Sequence, residues 1–592
     1  MSTSGSSGQP LDIVFLELRP NVPSRVQALR TALAEQGVTI ADEQVVTVSS
    51  LAGVATLAAA VAGQPTPGHP VYDDGTPPTG VGRNAVPRRP VALIPADLVI
   101  NGTALGAVLD DPRVHSGALA GDESGGHREL LDVIRIDAAD RPAAAGLVHE
   151  LDPATPSSLL LDLAARLPGA GVTLRPVPIG GYVWARPADA AQAAAAELAL
   201  AAVPERRVRL REAARGGDGF FSTFVLRKLS WRLTGPAERL GLTPNQVTAF
   251  SFVIGLVAAG LIATGDRPLA VVGALLLQLC VVVDCVDGEL ARYRRRFSRF
   301  GAWLDAGTDR IKEFAVVFAL ALAGARADQD LWPLAALAIG VQTFRSLADL
   351  SWSLRRAQLA GAVVEAPVSW RGPAGNLRTP SGFVSSTDTH GVGGWLKRIG
   401  HFPIGERFLL ISLGAALWTP KGTLIALCAA GLAAAVYLLA ALAARGRSLR
   451  GPQRPAVPAD TGPWLGAALQ RLRGRAAVIA APTLAVVEMA LVYLLGTGVG
   501  AEHGAAVMLV AVVAVAHYLQ AYGVREGAAT ESWVVIGADL RMVAFLVLIV
   551  LPGVLMPIDT HDWVTGGLWA LTSVVAVASV ATSLKSWIGV AR

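Results

Sequence analysis

The sequence predicts a multidomain protein: an N-terminal cytoplasmic α/β, Rossmann-like domain, then an all-α polytopic membrane region of about ten transmembrane helices. Three observations lead there. Of 592 residues, 52% are hydrophobic and 16% are charged, whereas a soluble domain carries ~25% charged residues, and the mean hydropathy is +0.47. Residues 11–203 alternate short apolar runs with helix-period patterns, as a sheet flanked by helices does. Beyond residue 240 the chain is dominated by apolar stretches long enough to cross ~30 Å of hydrocarbon. A purely soluble enzyme is excluded. The formal net charge of +5 invites a nucleic-acid partner, but the arginines sit in short blocks beside apolar runs, as the positive-inside rule requires. No nucleic acid is expected. Cys280, Cys285 and Cys428 lie inside apolar segments with no ligand spacing, which excludes a disulfide framework or a zinc site. The N-terminal MSTSGSSGQP lacks the basic-then-apolar order of a signal peptide, so the α/β domain is expected in the cytoplasm.

In the α/β domain, apolar runs at Ile13–Leu16 and Val45–Val48 flank a helical pattern at Val26–Gln36, and an alanine-rich helix follows at Leu51–Ala62. This alternation implies a parallel sheet. Residues 63–90 hold seven prolines and an Asp73-Asp74-Gly75 turn, and read as an exposed loop. The run Val91–Ile94 leads to Asp97, a helix follows near Thr103–Leu109, and Ser157–Leu167, Val172–Val177 and Ala188–Ala202 complete the domain. Glu205–Arg215 reads as a charged linker. From Phe220 to Leu240, apolar residues interleave with Arg227, Lys228 and Arg232, as in a helix lying in the membrane interface.

Spans are expected near 246–264, 268–288, 303–325, 331–351, 404–419, 422–444, 476–495, 504–522, 540–557 and 564–584. With the N-terminus inside, Arg292–Arg299, Arg355-Arg356, Lys397-Arg398, Arg445–Arg450 and Lys585 all fall on the cytoplasmic face, and both termini are cytoplasmic. A cell (plasma) membrane protein is expected. The boundaries are residues 1–205 for the α/β domain, 206–240 for linker and interfacial helix, 241–450 for a six-helix core, and 451–592 for a four-helix accessory membrane domain.

Ionisable groups inside a span are costly, which makes them functional candidates. One constellation stands out. Asp284 and Asp287 lie three apart on one helix, Asp305 and Asp309 four apart on the next, and a basic hairpin joins the two. Each pair therefore projects from one helical face. Four such carboxylates cannot remain ionised together without cations, and all-oxygen ligands suit hard divalent ions such as Mg²⁺ or Mn²⁺. Metal held by carboxylates at a membrane surface suits displacement at phosphorus. Gly288 and Ala291 remove bulk that would keep a ligand from the backbone, and Arg292 can pair with phosphate oxygens.

Over these residues the chain resembles the CDP-alcohol phosphotransferase (CDP-alcohol phosphatidyltransferase) family. The family signature D-x2-D-G-x2-A-R-x8-G-x3-D-x3-D is matched at every fixed position from Asp284 to Asp309, including Gly301. Leu242–Thr248 is also similar to the family's sequence where its first span begins, preceded by its interfacial helix. The resemblance covers roughly residues 218–445. It implies a six-span core that moves a phosphoryl-alcohol group from a CDP-linked donor onto an acceptor hydroxyl and releases CMP, in phospholipid biosynthesis. It also implies two metal ions held by Asp284, Asp287, Asp305 and Asp309, with Asp309 accepting the acceptor's proton. Gly288, Ala291 and Arg292 would contact CDP, and the chain would form a homodimer.

Other readings stay open beside these. The five arginines from 292 to 299, apart from Arg292, read as topology anchors. Thr243 and Asn245 are candidate nucleotide contacts, against ordinary capping of a helix that starts Thr-Pro. Arg345 and Arg407 are candidates to hold a phosphorylated acceptor, against pairing with Asp349 and Glu406. The expected donor is CDP-diacylglycerol and the acceptor a polyol or polyol phosphate. One alternative is a transferase joining two water-soluble inositol phosphates; another is a non-catalytic scaffold or transporter.

Some members of the family carry a nucleotidyltransferase domain in front, and Asp97 is similar to its metal-binding aspartate. The glycine-rich phosphate loop of such domains is absent, however: Glu17–Ser24 holds no glycine and two prolines, and no second acidic ligand is evident near Ile179–Val183. The domain is therefore expected to be degenerate or regulatory. In the last four spans Glu488, His517, Arg525, Glu526, Asp539 and Arg541 read as structural anchors, with His517 a packed histidine.

Overall fold

A computed structural model describes residues 10–590 except 20–21, 23, 64–88, 122–129, 153, 155–157, 215–218, 363–401, 446–460, 470–471, 473–474, 526–536 and 556–559. The proline-rich loop, Lys397-Arg398, Arg447, Arg450 and Glu526 thus lie outside the described residues. Of the described residues, those up to Ala213 form one compact unit and those from Ala214 a second.

The first unit runs β1 (Leu11–Glu17), α1 (Val26–Glu35), β2 (Ile40–Thr47), α2 (Leu51–Ala62), β3 (Val91–Pro95), β4 (Val99–Ile100), α3 (Gly102–Leu109), β5 (Gly117–Ala120), β6 (Leu130–Ile136), α4 (Arg141–Val148), α5 (Leu159–Arg166), β7 (Arg175–Pro178), β8 (Trp184–Ala185), α6 (Ala190–Ala202) and α7 (Glu205–Ala213). Six strands form one sheet in the order β2-β1-β3-β6-β5-β7, while β4 and β8 pair separately. The sheet is mixed, not parallel as expected: β6 runs antiparallel to both β3 and β5. The cause is the connection. Only residues 121–129 separate β5 from β6, too few for the crossover of a dozen or more residues that parallel neighbours require. Central β3 is buried at every position and reads as an unbroken apolar run, whereas edge strand β2 exposes Asp42. Glu205–Ala213, expected as linker, is helical.

One buried cation ties this unit together. Arg141 is 1% exposed; it donates to the Val61, Ala60 and Arg89 carbonyls at 2.7, 2.8 and 2.8 Å and pairs with Asp12 at 2.6 Å. It thereby satisfies carbonyls at the C-terminal end of α2.

The second unit opens with a π turn at Ser222–Leu226 that continues into α8 (Arg227–Arg239). Its apolar residues Phe220, Phe224, Val225, Leu229 and Leu233 are exposed, as expected of a helix lying against lipid. Then come α9 (Pro244–Ala263), α10 (Arg267–Arg294), α11 (Arg299–Ala325), α12 (Trp332–Ala362), α13 (Ile404–Leu417), α14 (Pro420–Arg445), α15 (Gly462–Leu469), α16 (Arg475–Gly498), α17 (His503–Arg525), α18 (Ala538–Leu555) and α19 (Thr560–Val590).

Each of the ten segments read as spans contains a helix among the described residues. Among the described residues six of them, within α9, α10, α14, α16, α17 and α19, are long and apolar enough to cross a membrane. Among the others, α13 has 14 residues, or ~21 Å at 1.5 Å per residue, and α11 carries Asp305, Asp309, Arg310, Lys312 and Glu313. One hydrophobic cluster runs through residues from both membrane segments separated in the sequence, including Phe314, Ile339, Ala505 and Phe545.

The interfacial helix is fastened to α10 by a charge. Glu289 is wholly buried and accepts from Ser230 Oγ at 2.5 Å, Thr234 Oγ1 at 2.6 Å and Arg227 Nη1 at 3.1 Å. Removing a partner from such a group strands the remaining donors. Glu289→Ala is expected to lower stability by about 2–3 kcal/mol, seen as a reduced thermal midpoint together with faster amide exchange in residues 222–239; unchanged exchange there would refute the tie.

Candidate active site

The site is assembled on three helices whose starts and ends are set locally. Thr243 caps α9, with Pro244 in its first turn, and Thr243 and Gln246 make reciprocal bonds of 3.3 and 2.9 Å, a capping box. Helix α10 ends at Arg295, which takes a left-handed conformation with φ 53°. Ser298 then caps α11. This tight reversal sets the last turns of α10 beside the first turns of α11, and both pairs of aspartates meet.

Carboxylate oxygens of Asp284, Asp287 and Asp305 lie within 4.8 Å of one another, close enough to share one metal ion. The donors facing them come from a polar stripe on α9. Thr248 Oγ1 donates to Asp287 at 2.5 Å and Ser251 Oγ to Asp284 at 2.7 Å. Asn245, Thr248 and Ser251 follow each other at three-residue spacing, so one helical face carries them all. Asp287 also accepts from the Gly288 amide.

The fourth aspartate has a different partner. Lys312, one turn beyond Asp309 on α11, is 1% exposed, and its Nζ lies 2.9 Å from Asp309 Oδ1 and 2.6 Å from Asp284 Oδ1. Burying such a charge is tolerable only when it is paired. The chemistry of this donor set, oxygen only and strongly acidic, fits a hard divalent cation.

Two glycines of the motif are closely faced by neighbouring atoms, and at Gly301 a side chain would collide. A Cβ on Gly301 would lie 2.7 Å from Ser298 Oγ and 2.9 Å from Asn245 Oδ1. One on Gly288 would come within 3.2 Å of Arg292 Nη1. Arg292 therefore lies over the glycine, with Ala291 beside it in sequence, leaving backbone and guanidinium together. Thr243 is exposed and serves as a helix cap. Of the other arginines, Arg294 donates to the Leu242 and Glu238 carbonyls at 2.7 and 3.2 Å, tying the end of α8 to α10.

One turn deeper along α11, Glu313 collects arginines. Arg407 reaches it through Nε at 2.6 Å and Nη2 at 3.2 Å, and Arg310 through Nη1 at 2.7 Å. Arg407 therefore pairs with Glu313, not with Glu406 as the sequence alternative had it; Glu406 accepts from the Phe221 amide at 3.1 Å. Arg345 lies beside this group: both it and Arg407 donate to the Phe402 carbonyl, at 3.4 and 2.9 Å. On its other side Arg310 stacks 5.0 Å from the centre of the Tyr518 ring.

In the α/β unit, Asp97 is enclosed by cations. Arg19 Nε donates to it at 2.5 Å and Arg186 Nε at 3.2 Å, and Arg186 also reaches Asp132 at 2.8 Å. Burial alone would weaken the Arg186 charge, but its bonds to Asp132 and Asp97 outweigh this and raise its pKa. In the last helices, Glu488 joins His517 and Arg541, each at 2.7 Å, across α16, α17 and α18. His517 is thus one member of a buried hydrogen-bonded group with Glu488 and Arg541, not a lone packed histidine.

The sequence motifs assign no role to Ser251, Lys312, Glu313 or Asp132, and hold Thr248 only as the end of the Leu242–Thr248 stretch. The three-residue spacing of Asn245, Thr248 and Ser251, and a lysine inside an apolar helix, were the available signals.

Residues 241–384 match the family model described as CDP-alcohol phosphatidyltransferase, and the chain carries a domain of that family there. The chain is 42% identical over 106 residues to a bifunctional IPC transferase and DIPP synthase of Aquifex aeolicus, covering 18% of this chain and 24% of the relative. A protein of the same name from Rubrobacter xylanophilus is 34% identical over 237 residues, 40% of this chain and 45% of the relative. A phosphatidylinositol phosphate synthase of Mycobacterium marinum is 38% identical over 99 residues, 16% of this chain and 41% of the relative. The chain thus spans less than half the length of each of these relatives.

Ser251→Ala removes a donor to Asp284, a loss worth about 1–1.5 kcal/mol, and should weaken Mn²⁺ binding roughly five- to tenfold in a calorimetric titration. An unchanged affinity would mean Asp284 lies outside the metal site.

Proposed function

We propose that residues 241–384, the CDP-alcohol phosphatidyltransferase domain, transfer a phosphoryl-alcohol group from a CDP-linked donor to an acceptor hydroxyl and release CMP. The observation that carries this reading is the meeting of Asp284, Asp287 and Asp305 beside Gly288 and Arg292 at one end of two helices. A divalent ion bound there, Mg²⁺ or Mn²⁺, would offset diphosphate charge and favour the leaving CMP.

The remaining work belongs to the chain. Thr248 and Ser251 hold Asp287 and Asp284 in position. Gly288 and Ala291 let the donor's nucleotide approach the helix, and Arg292 pairs with its phosphates. Asn245, against Gly301, borders the same end of the site. Asp309 takes the acceptor's hydroxyl proton on a carboxylate oxygen. The acceptor oxygen then bonds to the phosphorus bearing the donor alcohol as the bond from that phosphorus to the CMP oxygen breaks.

The acceptor we favour is a polyol phosphate. Arg310, Arg345 and Arg407 gather about Glu313, with Asp349 acting on Arg345. That leaves cationic charge in excess one turn from Asp309, where a phosphate would balance it. The phosphatidylinositol phosphate synthase among the relatives agrees with this class. For the donor we favour CDP-diacylglycerol, with the exposed apolar face of the interfacial helix beside it. A soluble CDP-inositol donor is the alternative, supported by the similarity to the bifunctional IPC transferase and DIPP synthases. All ten helices are read as spans of the cell membrane, with the site and both termini on the cytoplasmic side, and the family resemblance adds a homodimer. The N-terminal domain is read as non-catalytic, because guanidinium groups surround Asp97 where a metal would have to sit.

CMP release in nanodiscs should require Mn²⁺ or Mg²⁺, and should proceed with CDP-diacylglycerol and an inositol phosphate. Asp309→Asn should lower it by about 10²–10⁴. Absence of CMP release with every lipid and soluble CDP donor would refute the transferase. Arg345→Ala is expected to raise the acceptor KM about tenfold or more at nearly constant kcat, a loss of roughly 1.5–3 kcal/mol of charge-assisted bonding; equal loss with unphosphorylated acceptors would remove the phosphate assignment.

A further inference from the structure

We propose that Lys312 is a built-in cation of this active site, its ammonium group taking the place between Asp284 and Asp309 that a second divalent ion would need, so that the aspartates hold one metal ion. The inference rests on the reading that these aspartates bind a divalent ion, and goes beyond it by fixing how many.

The four carboxylates divide into two sets. Asp284, Asp287 and Asp305 offer oxygens within 4.8 Å of one another. Asp309, outside that group of three, lies against Asp284 and Lys312, whose Nζ also bonds Asp284 Oδ1. Ser251 Oγ, 3.4 Å away, is a third acceptor, so the three N–H donors of an ammonium group have three oxygens to meet. An ion bridging Asp284 and Asp309 would coordinate oxygens at ~2.0–2.2 Å and would have to occupy the space the nitrogen fills. The two cations would also repel each other, so occupancy by one excludes the other.

The fold makes room for the lysine in a way that a metal site would not require. Its stem crosses α9 at Gly255, where a Cβ would lie 3.0 Å from both Cγ and Cδ of Lys312 and 3.2 Å from Cys280 Sγ. The glycine is a notch for the side chain. The ammonium group is 2.6 Å from one carboxylate and 2.9 Å from another, on a residue 1% exposed, and leaving this place would strand an unpaired charge in an apolar interior. Lys312 lies beyond the last fixed position of the motif, which ends at Asp309, so the motif itself does not demand it. With the lysine in place, Asp309 keeps its orientation without any bound ion.

The test counts metal on the full-length protein in nanodiscs. Mn²⁺ is titrated while its free signal is followed by electron paramagnetic resonance, and bound metal is measured by elemental analysis after desalting. One Mn²⁺ per chain is expected for the wild type and two for Lys312→Ala, whose spectrum should show dipolar broadening from neighbouring ions. Lys312→Met, which keeps the stem in the Gly255 notch, serves the same purpose if the alanine variant does not fold. Two ions in the wild type would overturn the inference without any variant. One ion in wild type and folded variants alike would overturn it too, since the ammonium would then exclude nothing. No bound ion in the wild type would refute the metal reading of the aspartates themselves.

Discussion

Four carboxylates on two apolar helices will not stay together unless positive charge meets them, and much of the second unit is arranged around that requirement. Helix α9 brings two hydroxyl donors at helical spacing, while α11 supplies an ammonium from its own next turn. Only the oxygens left over are available to a ligand. The same rule is repeated one turn deeper, where Glu313 is surrounded by guanidinium groups, and again in the last helices, where Glu488 holds His517 and Arg541. At these three places buried charge is shared between more than one helix, which helps fix their rotation and register.

Helix α11 carries most of these networks and is held on opposite sides. Its acidic face meets α9 and α10. Elsewhere Gly307 accommodates Leu519 and Arg310 stacks on Tyr518, both contacts with α17. A reacting geometry must be held to within a fraction of an ångström, which is easier on a helix clamped along its length than on a loop. Helix α17 is thus part of the scaffold of the site through its packing on α11, although the helices that follow residue 451 add no group to the aspartate cluster among the described residues.

The aspartates were legible in the sequence because ionisable residues inside an apolar stretch have few reasons to be there, and their spacing alone places them on one face. The helices were legible for a similar reason: long apolar segments leave few choices. What the sequence did not disclose is who meets whom. Arg407 stands next to Glu406 in the chain, yet consecutive residues on a helix point in different directions, and it reaches Glu313. Lys312 could have been a snorkelling terminus or a functional cation, and only the notch at Gly255 and the nearness of Asp284 decide it. The sheet was misread where a connection too short for a crossover turned β6 round. Glu205–Ala213 was misread because its charges describe a solvated helix as well as a linker.

Glu289 has a consequence for how the protein sits in lipid. It is bonded to three side chains of the helix that lies along the interface, and it belongs to the span that carries Asp284 and Asp287. With the exposed apolar face of that helix laid at the height where headgroups meet water, as its sequence predicts, the tie would act as a depth gauge. Thinning or thickening of the bilayer can tilt or strain the distal ends of the spans, while the aspartates keep their distance from the aqueous boundary. Under the proposed function, a lipid donor arriving from the side would present its headgroup at the same level whatever the length of its chains, so that recognition would fall on the headgroup and not on the tails.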